Sequence, residues 1–236
     1  MKVVILQSNY LPWKGYFDLI NDADVFCFYD EVKYTKNDWR NRNKLYTKNG
    51  LQWISIPINK DAVKSKISEA ELPPNWQAEH GKIIRYTYGR APFYSNLEGL
   101  CEDFYQKNKF RFLSEFNQYS IKKIANFIGI KTAFVNSNDY ELRGERVERL
   151  INLLKDIGAT EYISGAAAKD YLTGHEHFFS DNNIKLTYKD YDSYPEYPQL
   201  IKPFEHCVSV IDLIANLSKD DIAKNIWGCR KHEKIG

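Results

Sequence analysis

Residues 2–29 read Lys2-Val3-Val4-Ile5-Leu6-Gln7-Ser8-Asn9-Tyr10-Leu11-Pro12-Trp13-Lys14-Gly15-Tyr16-Phe17-Asp18-Leu19-Ile20-Asn21-Asp22-Ala23-Asp24-Val25-Phe26-Cys27-Phe28-Tyr29. Lys2 to Leu6 is a β-branched-rich run of strand length, and Gln7 to Lys14 is a loop. Gly15 to Asp22 brings Tyr16, Leu19 and Ile20 together at helical spacing, and Val25 to Tyr29 is a second buried strand. Strand, short helix and strand make a βαβ unit, whose right-handed crossover lays the two strands parallel.

The same alternation continues outward. Leu51 to Ile58 reads as a strand. Residues 75 to 129 carry mostly helical periodicity, broken near Gly89 to Pro92, and Lys131 to Val135 is a new strand. Arg143 to Ile157 is an amphipathic helix ending at Gly158. Tyr162 to Ser164 is a short strand, Ala166 to Leu172 a short helix, Ile184 to Tyr188 a strand, and Val208 to Leu217 a last helix. These elements predict an α/β fold: an open, mainly parallel, Rossmann-like sheet in one domain over 1–236, with a helical insertion at about 72–129. In such sheets ligands sit outside the carboxyl ends of the strands. The candidate loops are therefore Gln7 to Tyr16, Asp30 to Arg42, Asn136 to Arg143 and Ser164-Gly165.

Composition narrows the function classes. The chain has 236 residues, with 33 Lys and Arg against 31 Asp and Glu. That balance argues against a general nucleic-acid binder or a polybasic membrane protein. The first apolar run is too short for a signal peptide, and no stretch approaches the roughly 20 apolar residues of a membrane span, so a cytoplasmic protein is expected. Cys27, Cys101, Cys207 and Cys229 lie far apart, as free thiols do, and the five histidines form no convincing metal constellation, so no metal is expected. Tyrosine is the commonest of the aromatics, which make up 15% of the chain. Rings with polar tips suit a wet cavity as well as a core.

In the first loop, Pro12 and Gly15 precede a helix whose free N–H groups and dipole favour an anion. Gln7, Asn9, Tyr10, Trp13, Gly15 and Tyr16 are its candidate binding residues. The second loop, Tyr34-Thr35-Lys36-Asn37-Asp38-Trp39-Arg40-Asn41-Arg42-Asn43, offers guanidinium forks to phosphate, and Trp39 or Tyr34 as a stacking surface for a base or sugar. Trp39, Arg40, Asn41 and Arg42 join the binding set, with Asp38 as a proton relay. Later in the chain, Ser164-Gly165 opens an alanine-rich helix, and Tyr171 and Gln199 fall in recognisable motifs. His206 stands near Tyr197-Pro198-Gln199 and is the first choice for a general base. Ser209 and Asp212, at the start of the last helix, suit an N-cap and its first turn.

From Gly15 to Val25 the chain resembles the HIGH-type nucleotidyltransferases and pantothenate synthetase. In those enzymes two histidines flank the glycine, and Trp13 and Tyr16 hold those slots here. A longer resemblance runs through Gln7-x-x-Tyr10-x-Pro12-Trp13-x-Gly15-Tyr16-Phe17, Asp38-Trp39-Arg40-Asn41-Arg42, Tyr162-x-Ser164-Gly165-x-Ala167-x-x-x-Tyr171-Leu172, Tyr197-Pro198-Gln199 and Ser209-x-x-Asp212-Leu213. In these the chain is similar to the WbqC-like family, whose members sit among bacterial genes for O-antigen and other surface polysaccharides. That resemblance implies a cytosolic step on a nucleotide-linked sugar or another phosphorylated small molecule, with a nucleotide or an acyl or aminoacyl donor as co-substrate. Acyl or aminoacyl transfer to an amino sugar is the expected reaction. A non-catalytic sugar-nucleotide-binding accessory and a nucleotidyltransferase are the alternatives. A homo-oligomer is compatible with the sequence, and neither nucleic acid nor a membrane is an expected partner.

Overall fold

A computed structural model describes residues 1–59, 65–192 and 194–227; Cys229 lies outside them. Five strands form one sheet: β1 (Lys2–Leu6), β2 (Val25–Phe28), β5 (Ala133–Asn136), β6 (Glu161–Ser164) and β7 (Lys185–Tyr188). Their spatial order is β5-β2-β1-β6-β7 and every pairing is parallel. From β1 the chain builds outward through β2 and β5, then crosses back to lay β6 on the other side of β1. The order therefore reverses between β1 and β6, the crevice where open α/β sheets receive ligands.

Alternation along β1 decides which layer each side chain feeds. Val4 points into a large cluster with α1 (Lys14–Asn21), α2 (Trp76–Tyr88), α3 (Tyr94–Glu102), α4 (Leu113–Phe127), α8 (Val210–Asn216) and α9 (Lys219–Ile226). Val3 and Ile5 point into a smaller cluster with α5 (Arg146–Ile157), α6 (Lys169–Leu172) and α7 (Glu176–Ser180). Burial on both faces is what a parallel sheet requires, and it accounts for the unbroken apolar run of β1. Helix α5 buries Val147, Leu150, Ile151 and Leu154 on one stripe. It stops at Gly158, whose φ of 86° lets its N–H reach the carbonyls of Leu154 and Lys155.

Four features depart from the expected element list, one of them the short helix α7 between Leu172 and β7. Arg42–Thr47 is a strand, β3, paired antiparallel with β4 (Gly50–Ser55). Its Arg-Asn-Lys start reads as loop, yet Asn43 and Leu45 are buried on alternate positions. The helical block is interrupted twice, because a π-helical turn over Asp103–Lys107 ends α3 well before α4 begins. Helix α8 is not the last helix, since α9 follows it and buries Ile222 and Ile226. No helix among the described residues is long and apolar enough to cross a membrane.

Gly15 is required by a close approach. The indole of Trp13 lies across it, so that a Cβ there would clash with Trp13 Cζ2. Gly15→Ala is expected to destabilise the fold by about 1–3 kcal/mol, the usual cost of overpacking, read as a lower denaturation midpoint. An unchanged midpoint would show that Trp13 moves freely off α1.

Candidate functional site

At the carboxyl ends of β1 and β6 lies a cleft of about 1140 Å³. Gln7 and Arg40 line one side, Ser164, Gly165 and Tyr171 another. Arg146 and Arg149, on the first turns of α5, face in with Glu145, Glu148, Tyr29 and His175. Three arginines thus line one concavity together with the carboxylates Glu145 and Glu148, beside backbone N–H groups of a helix start. Arg149 donates through Nε to the carbonyl of Gly144, 2.8 Å away, and so braces the turn that opens α5. That turn is conformationally special, with φ of 78° at Gly144 and 47° at Arg146. Burial pushes the Tyr29 hydroxyl up, and the charge of the neighbouring Arg149 holds it back in part.

The first and second candidate loops are bound to each other. Tyr10 N–H donates to the Trp39 carbonyl at 2.9 Å, and Asn43 Nδ2 donates to the carbonyls of Tyr10 and Leu11. Arg40 donates to Asn9 Oδ1 and lies 3.6 Å from Asp38. From behind, Asn117 Nδ2 holds the Arg40 carbonyl at 2.8 Å. Partial burial pushes the Asp38 carboxyl up, but Arg40, the Thr35 hydroxyl and the Trp39 N–H outweigh it, and the net shift is downward. Asp38 is therefore a carboxylate near neutral pH. Asp30, buried behind this loop pair, goes the other way. Burial raises it, against the hydrogen bonds of Gln118 and the Ser8 N–H.

Several predicted site residues do other work. Tyr10 is wholly buried, with its hydroxyl 2.6 Å from His80 Nδ1 and 2.8 Å from the Tyr105 hydroxyl. Tyr16 is buried and donates to the Gln7 carbonyl at 2.9 Å. Gly15 is buried under Trp13, and Val210 N–H and the Ser209 bridge to Trp13 cover this helix start. The start of α5 therefore lines the cleft in place of the start of α1. Asn41 donates to the Ile56 carbonyl, and Arg42 donates to the Asn37 carbonyl while lying 4.2 Å above the Trp53 ring. Gln199 and Tyr197 are buried around Asp212, donating to its Oδ1 at 2.9 and 2.7 Å. The two late motifs thus recognise each other, and Ser209 Oγ ties both to the Leu11 carbonyl. His206 is exposed against Phe204, outside the cleft lining, and burial followed by the charge of Lys14 lowers its pKa. Ser164 is buried, and its Oγ stands 3.4 Å from the Tyr162 hydroxyl.

Arg146, Arg149, Tyr29 and His175 were absent from the sequence-derived set. The strand-end rule pointed to the loop after β5, but the charged first turns of α5 read as an ordinary solvated helix face. Left-handed backbone at Gly144 and Arg146 turns them into the cleft.

A parallel sheet with its order reversing at β1 and β6, and an arginine-lined cleft at that reversal, define a Rossmann-like α/β protein. The chain belongs to the WbqC-like protein family, which it matches over residues 7–224. It is 40% identical over 221 residues to Uncharacterized protein Rv1507c of Mycobacterium tuberculosis, a match spanning 93% of this chain and 95% of that one. No solved structure matches it.

Proposed function

We propose that this protein is a transferase of bacterial surface-polysaccharide assembly that binds a nucleotide-linked amino sugar in the cleft between β1 and β6. The observation that carries the proposal is the convergence of Arg40, Arg146 and Arg149 on a switch-point cleft large enough for a nucleotide. The diphosphate faces the guanidinium groups, whose forks match phosphate oxygens, and Tyr29 and Tyr171 offer rings to the base. Family context supplies the sugar. The amine nitrogen of the sugar attacks the carbonyl carbon of an acyl or aminoacyl donor, the C–N bond forms, and the bond from that carbon to its leaving group breaks. Asp38, kept ionised by Arg40, takes the amine proton; His206 lies outside the cleft lining and is not placed to do so.

A thermal-shift panel of UDP-, dTDP- and GDP-sugars, ATP and CoA tests the binding step. A ligand at 100 times its dissociation constant stabilises by about 2.7 kcal/mol, and at least one nucleotide-sugar is expected to do so. A panel in which no nucleotide shifts melting would remove the proposal. The arginine-lined cleft favours this over a transferase of HIGH type, because Trp13 and Tyr16, in the histidine slots, are packed against Gly15 and Gln7.

A further inference from the structure

The geometry points to a second ligand site, for the uncharged ring of a monosaccharide, in a pocket of about 290 Å³ beside the cleft. Asn9, Pro12, Trp13, Trp39, Asn43 and Cys207 line it. The two cavities meet at one contact, since Arg40 lines the cleft, Asn9 lines the pocket, and the two side chains are hydrogen-bonded. None of the six lining residues carries a formal charge at neutral pH. The cleft, by contrast, holds three arginines. A phosphate belongs in the cleft and gains nothing in the pocket.

Both indole walls are held in place before any ligand arrives. Trp13 rests on Gly15 and is packed by Tyr191 at 5.2 Å and Tyr194 at 5.9 Å between ring centroids. Trp39 is 43% exposed and stands 5.4 Å from Trp53, itself 47% exposed with Arg42 lying over one face of its ring. Half-exposed tryptophan fixed in this way is costly to leave wet, and it offers the flat apolar surface that stacks on the C–H face of a pyranose. Polar donors stand beside the rings. The Asn9 amide nitrogen and both indole N–H groups donate to no described residue, and sugar hydroxyls are their natural acceptors. A nucleobase would also stack, but a pocket of this volume takes one hexose-sized ring and has no cation for the phosphate that follows a base. The pocket is the acceptor subsite if the cleft holds the nucleotide-linked partner, and that assignment alone rests on the function proposed above.

The test uses N-acetylglucosamine as the neutral probe and UDP as the charged one, with saturation-transfer NMR as the readout. A Cys229→Ser chain gives a second readout, because Cys207 is exposed while Cys27 and Cys101 are buried, so maleimide labelling reports on the pocket. N-acetylglucosamine is expected to bind and to slow Cys207 labelling. Trp39→Ala should weaken it about fivefold, Trp39→Phe much less, and Arg149→Ala not at all. UDP should neither displace the sugar nor protect Cys207. Equal sugar binding by Trp39→Ala, displacement by UDP, or no binding at millimolar sugar would each overturn the second site. Sugar binding that survives while UDP fails to bind would sink the nucleotide cleft and leave this pocket standing.

Discussion

Phe116→Ala is expected to cost about 3–5 kcal/mol of folding stability, the range for deleting a buried phenyl ring. Phe116 is fully buried on α4 and touches five aromatic neighbours: Tyr10, Trp76, Phe104, Tyr105 and Phe110, with centroid distances between 4.8 and 6.1 Å. Most of these pairs are edge-to-face, so their ring quadrupoles add to the area term. Rings cannot bend to fill the gap, and the cavity term is therefore retained nearly whole. For a chain of this size the melting temperature should fall on the order of 10 °C. Urea denaturation measures the cost directly. A loss below about 1 kcal/mol would mean that α4 does not hold the helical layer as described.

Acidification should destabilise the protein through His80. Its ring is buried, Nδ1 lies 2.6 Å from the Tyr10 hydroxyl, and the Tyr105 hydroxyl completes the chain at 2.8 Å. Burial pushes its pKa down to about 4, with a backbone hydrogen bond to Ser55 opposing in part. An unfolded histidine titrates near 6.5, so the unfolded state takes up its proton first as pH falls. The contribution is therefore complete above about pH 6.5 and is lost as pH falls toward 4, by about 3 kcal/mol in all. Asp30 and Asp212, with carboxyls raised by burial, respond in the opposite sense. His80→Gln, compared with the parent chain, isolates the histidine. Between pH 7.5 and pH 4 the parent should lose about 3 kcal/mol more than the variant. Parallel stability curves would contradict a neutral, buried His80.

The sheet was legible because its strands are short apolar runs separated by helices, and burial on both faces leaves little else for Val3-Val4-Ile5 or Phe26-Cys27-Phe28 to do. Strand β3 was hidden because Arg42 and Lys44 break its apolar pattern and one of its buried residues, Asn43, is polar. The aromatic excess suited a wet cavity as well as a core. The structure buries Tyr10, Tyr16, Tyr34 and Tyr197 and leaves Trp13 and Trp39 at a pocket wall. Ring count cannot separate the two fates, because a buried tyrosine needs only one partner for its hydroxyl, and that partner is remote in sequence. His80 lies 70 residues from Tyr10, and Asp212 lies 15 from Tyr197. The same distance hid the pairing of the Tyr197-Pro198-Gln199 motif with Ser209-x-x-Asp212. Arg146 and Arg149 escaped notice for a local reason, since two left-handed residues redirect a helix start that ordinary periodicity places on the surface.

Calorimetric titration of a UDP-linked amino sugar into the intact chain and into Arg149→Ala tests the arginine-lined cleft most directly. The parent should bind, and Arg149→Ala should bind at least about tenfold more weakly, the loss of one charge-assisted phosphate contact, with a melting temperature close to the parent's. Equal affinity in the two proteins, or no heat from the parent with any nucleotide-sugar, would contradict a phosphate-binding cleft at the β1–β6 reversal.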